Sequence, residues 1–271
     1  MALTKRQRAK VVRGVQYVVL VLLVLTIALA ADWGRIQSAF FDLEVARGMF
    51  PDVITVALKN TMIYTALGFV FGFAWGLVLA LMRLSSVGVY RVLAGVYIEF
   101  FRGLPALLVI LAVGSGISLA FPGMSLNRYV AIMIALGIVS AAYLAETIRA
   151  GIQAVPRGQV EAARSLGMSP AATMIWITIP QAFKIILPPL TNELVLLTKD
   201  TSLALFLGST VAQQELTQFG RQQLNEFRSL TPVLVAGLCY LIITIPLSQL
   251  SRRLEGRSGS AAPVAAGRGG G

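Results

Sequence analysis

Five charged side chains interrupt stretches that are otherwise apolar. Glu99 and Arg102 stand three residues apart, and Asn192 and Glu193 precede Lys199 and Asp200 by two helical turns. An ionisable group inside a long apolar run is costly unless it pairs, meets water or binds something. These residue types hold or steer charge; they do not supply covalent chemistry. The chain has no histidine and a single cysteine, Cys239, which excludes histidine-based catalysis, histidine metal ligation, an intrachain disulfide and a cysteine-rich metal site. No G-x-x-x-x-G-K-[ST] loop occurs, so the chain has no nucleotide-binding loop of that kind. The spacing therefore points to no catalytic residue and no metal ligand. Glu99 and Arg102 lie roughly 12–16 Å into the run that begins near Arg91, which is near mid-depth of a bilayer. They share a helix face and can pair. Gly103 and Pro105 come next and break a helix there, and freed backbone groups at mid-depth can bind a solute. An internal ion pair that only holds the helix is the other reading. Glu146 and Arg149 repeat the three-residue spacing near the end of another apolar run, where a pair would brace the adjoining loop.

The elements that carry these charges follow from composition. Of 271 residues, 56% are hydrophobic and 13% charged, against about 45–50% and about 25% in a soluble domain. The apolar excess falls into six runs, at about 14–31, 61–82, 91–121, 129–145, 182–208 and 229–251. A helix needs about 20 apolar residues to cross a bilayer. The first run is long enough to span and reads as an uncleaved helix rather than a signal peptide. The fifth carries Asn192, Glu193, Lys199 and Asp200 and has Pro188 and Pro189 at its start, so it cannot face lipid along its whole length. Thr61, Thr65, Gly68, Gly72 and Gly76 line up small residues on the second run, which suits close helix packing.

With the N-terminus inside, fifteen Lys and Arg fall on the cytoplasmic side and six outside, leaving Arg102 and Lys199 within the membrane. That bias predicts cytoplasmic N- and C-termini. The net charge of +11 then belongs to the membrane face and not to nucleic acid. The expected division is a basic cytoplasmic N-terminus (1–14), an extra transmembrane helix (15–31), an external loop (32–52), a membrane core (53–251) and a disordered cytoplasmic tail (252–271). The segment 209–228, with Gln213, Gln214, Glu215 and Gln218, is too polar to span. It either caps an outer gate, meets an external partner with help from Asp42, Glu44 and Asp52, or is a solvated loop.

The longest cytoplasmic connection, within 150–181, is patterned. Val160, Ala163, Leu166 and Gly167 recur at helical spacing, with Glu161 and Arg164 on other faces. Gly167 suits a left-handed helix end, Ser169 a helix cap, and Pro170 a first helical position. Pro180 is expected to stop the second helix. A helix–turn–helix knob results, either for docking a soluble partner or for covering the bundle.

Glu161-Ala162-Ala163, three residues, Gly167, nine residues and Ile177-x-Ile179-Pro180 resemble the EAA loop of binding-protein-dependent ABC importer permeases, with Ile179 where the family has Leu. The resemblance implies that Glu161, Ala162, Ala163, Gly167, Ile177 and Pro180 couple to a separate ATPase. Ile98–Pro105 is similar to the IE-x-FRGTP segment of the polar amino acid branch, with Leu104 for Thr, and 142–152 and 199–203 resemble its AY-x-AE-x-x-R-x-GI and KDTSL stretches. The match covers about 53–250. The region 41–50 with 57–61 looks most like glutamate permeases of high-GC Gram-positive bacteria.

The resemblance implies an all-α integral membrane protein with six transmembrane helices, a five-helix permease core plus an extra N-terminal helix, and a cytoplasmic helix–turn–helix coupling loop. It implies import of a polar amino acid, glutamate or glutamine first and arginine or histidine as alternatives. Expected partners are ABC ATPase subunits, a second permease (an identical or related chain), an extracytoplasmic solute-binding protein and membrane lipid. No cofactor would bind this chain directly; ATP and Mg would sit in the ATPase. Glu99, Arg102, Asn192, Glu193, Lys199 and Asp200 are candidates for the solute path, and Glu146 with Arg149 for support of the coupling loop. A membrane enzyme would need clustered acids or metal ligands at one interface, which are lacking. A channel or secondary transporter would leave the patterned loop unexplained.

Overall fold

The computed structural model describes residues 5–120 and 126–259. Among these residues every regular element is a helix. Helix α1 (Lys5–Ala30) carries an apolar window, Lys10–Ala30, none of which is buried against the rest of the chain. It stands apart as the expected extra helix. Two short helices come after it where a loop was expected. Asp32 caps α2 (Trp33–Phe40) through Arg35 N, and Asp42 caps α3 (Leu43–Gly48) through Glu44 N and Val45 N. Both are clasped to the start of the last helix: Leu230 N donates to Ala39 O at 2.7 Å and Asp42 N to Thr231 Oγ1 at 3.0 Å.

A π-turn (Val53–Leu58) leads into α4 (Lys59–Leu84). Next come α5 (Gly88–Gly103) and α6 (Ala106–Ala120), which diverge by 105° at Leu104-Pro105. The break falls where Gly103 and Pro105 placed it: proline has no N–H to donate and disfavours helix in the residue before it. Five helices are long and apolar enough to span, and six spans result if the bent pair counts as one.

Helix α7 (Arg128–Gln153) is the centre of the bundle, with 67% of its apolar window buried. Its face of Leu136, Gly137, Ser140, Ala141, Leu144 and Ala145 meets Gly68, Gly72 and Gly76 of α4. A Cβ on Gly76 would lie 3.0 Å from Ala141 O and 3.1 Å from Ala145 N. Two backbones this close need a glycine between them, so the small-residue stripe is a packing seam.

Helix α8 (Arg157–Ser165) ends at Gly167, whose φ is +86°. Gly167 N donates to Arg164 O and Met168 N to Ala163 O, the paired bonds that close a helix on a left-handed residue. Ser169 then caps α9 (Pro170–Thr173), with Ala172 N donating to its Oγ at 3.2 Å. Pro180 does not stop the helical path. A π-turn (Met174–Thr178) joins α9 to α10 (Ile179–Asp200), and Ile179 N reaches five residues back to Met174 O. The wider turn admits Pro180 in the first turn of α10, where a missing N–H costs little. The second arm of the knob is thus the beginning of the next membrane helix, which runs on through Pro188 and Pro189.

A 3₁₀ turn (Thr201–Leu207) leads to α11 (Leu216–Phe227) and α12 (Thr231–Gly259). The tail was expected to be disordered from 252; instead α12 stays helical through Gly259, and 260–271 lie outside the described residues. Ser251 Oγ donates to Pro188 O at 3.2 Å, tying α12 to α10 at a carbonyl beside the Pro188-Pro189 pair.

Candidate functional site

At the break between α5 and α6 the bundle encloses a cavity of about 220 Å³. Leu104 and Ala106 border the break side, Ser140 and Tyr143 of α7 form one wall, and Glu193 and Asp200 of α10 form another. Glu193 and Asp200 are seven residues apart, so both face the cavity from successive double turns, about 10 Å apart along the axis. Both are half-buried. Arg102, one residue before Gly103, lays its guanidinium 5.5 Å from the Tyr143 ring centroid, within the range of a cation–π contact. The cavity thus combines two carboxylates, a hydroxyl, an aromatic face and a neighbouring cation around a helix break.

Of the six path candidates, the structure brings Glu193 and Asp200 to the cavity, with Arg102 adjoining it through Tyr143. Glu99, Asn192 and Lys199 are exposed and line no part of it. Glu99 and Arg102 share a face but form no ion pair; Arg102 turns to Tyr143 instead. Tyr143 and Ser140 were not singled out from the sequence. Tyr143 lay within the AY-x-AE stretch without being assigned a role, and Ser140 could have been found only by its spacing, three residues away on the α7 face that also carries Leu136. Among the described residues no group of three or more Asp, Glu, Cys or His could hold a metal ion.

The second site is a surface. Glu161, Ala162 and Gly167 are exposed on α8 and its turn, Pro180 is exposed on α10, Ile177 is half-buried and Ala163 is buried. Leu166 was expected on the packing face with Ala163. It is 86% exposed, because it occupies the C-cap, where the chain turns away from the helix. Trp176, on the π-turn that follows α9, is 72% exposed. Large apolar side chains left this exposed, with Glu161 and Arg164 exposed on the short helix whose closing turn carries Leu166, mark a contact surface by physical criteria. Behind it, Arg149 makes a bidentate contact with Glu146, with Nη2 to Oε2 at 2.6 Å, and Arg149 Nη1 donates to Gln153 Oε1 at 2.8 Å. The pair sits on the last turns of α7, immediately before α8.

At the opposite end the polar segment 209–228 is not a solvated loop. Glu215 is fully buried and caps α11 by accepting from Thr217 N (2.7 Å) and Gln218 N (2.6 Å), while Tyr240 Oη donates to its Oε2 at 2.8 Å. Asn60 Nδ2 donates to Ala212 O and Gln214 O, and Tyr64 Oη to Gln213 O. These bonds pin the segment to α4 and α12.

Residues 68–259 match the model of the binding-protein-dependent transport system inner membrane component family. The chain belongs to that family. Its sequence is 36% identical over 229 residues to the arginine transport system permease protein ArgU of Corynebacterium glutamicum, covering 79% of this chain and 68% of that protein. It is 34% identical over 225 residues to the glutamate/aspartate import permease protein GltK of Escherichia coli O157:H7, covering 76% and 92%. A crystal structure of an amino acid ABC transporter with histidines superposes with a TM-score of 0.70 at 35% identity, covering 80% of this chain and 98% of that one. Family membership makes the chain a multi-pass membrane component. Relatives of opposite substrate charge lie at nearly equal identity, so overall likeness does not select a solute.

Proposed function

We propose that the chain is the membrane subunit of an ATP-driven amino acid importer, taking an amino acid with a cationic side chain through the cavity at the α5–α6 break. The observation that carries this reading is the pairing of Glu193 and Asp200 on one wall of that cavity. A stretch near 41–61 favoured glutamate. The cavity lining favours a different order. A side-chain carboxylate about 4 Å from the ionised form of either acid meets a repulsion of about 4 kcal/mol at an effective dielectric of 20, and a guanidinium or ammonium gains a similar attraction. Tyr143 offers a cation–π face to the same group, and Arg102 is near enough to meet the α-carboxylate.

Energy comes from a separate ATPase that holds Glu161, Ala162, Leu166 and Gly167 at the tip of α8, on the cytoplasmic side. A second permease, an identical or related chain, completes the path, and an external binding protein delivers solute to the α11 end. Closure of the ATPases draws the α8 tips together and tilts the attached helices, opening the far side. ATP and Mg reside in the ATPase.

The test is uptake of labelled arginine, glutamine and glutamate by proteoliposomes holding the permease, its ATPase and its binding protein. Arginine uptake resisting excess glutamate is the expected result. Uptake of glutamate alone would sink the cationic assignment while leaving the importer reading in place.

A further inference from the structure

A second cavity, of about 410 Å³, lies beyond the first along the same three elements. On α6, Ala106 and Ile110 line the first and Gly114 the second. On α7, Ser140 and Leu136 give way to Ala131 and Arg128; Leu197 and Asp200 of α10 give way to Leu207 in the turn that follows it. An apolar constriction separates them. Ile110, Leu136 and Leu197 belong to one buried cluster, and Leu207 packs against it. A Cβ built on Gly114 would lie 2.4 Å from Leu207 Cδ2, so Leu207 seals directly on the bare backbone of α6.

Arg128 gives the second cavity its chemistry. Its Nη2 donates to Ala204 O at 2.8 Å and to Gln218 Oε1 at 3.4 Å, which holds the guanidinium in place. Its Nε is buried with no hydrogen-bond partner. The ion pairs among the described residues are Asp32–Arg35 and Glu146–Arg149, so no carboxylate lies within 4.0 Å of Arg128. A half-buried arginine bordering a polar cavity, with the Tyr64 hydroxyl beside it and no carboxylate within 4.0 Å, is a site for an anionic group, and the guanidinium fork fits a carboxylate.

We infer that this second cavity is a separate station that binds the α-carboxylate of the amino acid before it passes Leu207 to the acid-lined cavity. The inference rests on the amino acid reading above and on α11 facing outward. Arg128 and Ser140 are twelve residues apart on α7, about 18 Å along the axis. One amino acid cannot bridge both, so the two cavities act in succession. The outer one selects for the carboxylate that every amino acid carries. The inner one selects by side chain.

The experiment uses the complete reconstituted importer and compares Arg128→Gln, Arg128→Lys and Arg128→Cys, the last in a Cys239→Ser background. Initial uptake is measured at limiting loaded binding protein, together with ATP hydrolysis stimulated by that protein. Arg128→Gln should lower uptake about tenfold, the scale of one charged hydrogen bond, with hydrolysis within about twofold of the unaltered complex. Arg128→Lys should retain most uptake. Arg128→Cys should regain uptake after modification with aminoethyl methanethiosulfonate, which restores a cation, and not with the neutral methyl reagent. Unchanged uptake in Arg128→Gln overturns the station. Hydrolysis falling together with uptake, with no rescue by the cationic reagent, also overturns it and makes Arg128 only a clamp on Ala204 and Gln218. An unaltered complex that imports no amino acid overturns the parent reading and this inference with it.

Discussion

Single residues in this chain are decided by whether a charge finds a partner. Glu215 does: two backbone N–H groups and the Tyr240 hydroxyl converge on its carboxyl. Burial still pushes that carboxyl above its ordinary value of 4.5, against the pull of those donors. The folded protein therefore holds the Glu215 proton more tightly than the unfolded chain. Its contribution to stability is complete below the ordinary carboxyl value and is lost as pH rises through the raised folded value. Glu215→Gln should remove this component, so that melting temperature in detergent falls less between pH 5 and pH 7.5 than in the unaltered chain. Equal pH slopes for the two proteins would refute it. Sequence order put Glu215 in a stretch too polar to span, but its full burial was not legible there. That burial depends on Tyr240, twenty-five residues on, reaching back from α12. Arg102 shows the reverse. Its spacing from Glu99 allowed a pair, and the nearby ring of Tyr143 on another helix took the guanidinium instead.

Elements are decided by how closely backbones can approach. Helices α4 and α7 meet through glycine, and Gly76 has backbone atoms of Ala141 and Ala145 at the place where a side chain would go. Gly76→Val should destabilise the bundle by about 1–3 kcal/mol, the cost of overpacking. Gly158→Ala, with nothing within 4 Å of the new Cβ, is the matched control. Thermal unfolding in detergent compares them, and equal midpoints would mean the seam yields. The α8 tip is decided by exposure. Glu161→Lys should abolish co-purification of the ATPase and uptake while membrane insertion is kept, and Leu166→Glu should weaken the complex by removing its most exposed apolar contact. An ATPase complex that survives Glu161→Lys would remove α8 as the docking element. The caps of α8 and α9 were readable from Gly167, Ser169 and Pro170, because capping is local. The fate of Pro180 was not, since a π-turn just upstream changed the hydrogen-bond register before the proline arrived.

The whole molecule places its two ends in different chemistry, an apolar and charged tip at α8 and a hydrogen-bonded cover at α11, with the cavities between. The excess of Lys and Arg on the α8 side predicts that this end faces the cytoplasm. Cys239 is buried, so single cysteines placed at Ser165 and at Thr210 in a Cys239→Ser background should react with a membrane-impermeant thiol reagent from inside and from outside, respectively. The opposite pattern would invert the topology and the direction of transport with it. The spans, the broken helix, the helix–turn–helix around Gly167 and the family were written in the sequence, because length, apolar runs, proline and motif spacing are local properties of a chain in a bilayer. Which charges share a cavity was not. Glu193 and Asp200 face it and Lys199 does not because seven residues are nearly two full turns of α10, and one residue back is another face. Tyr143 and Arg128 acquire their surroundings from α5, α6 and the turn after α10, which are distant in sequence. Only the tertiary structure brings those elements together, since side chains on separate helices meet through packing and not through spacing.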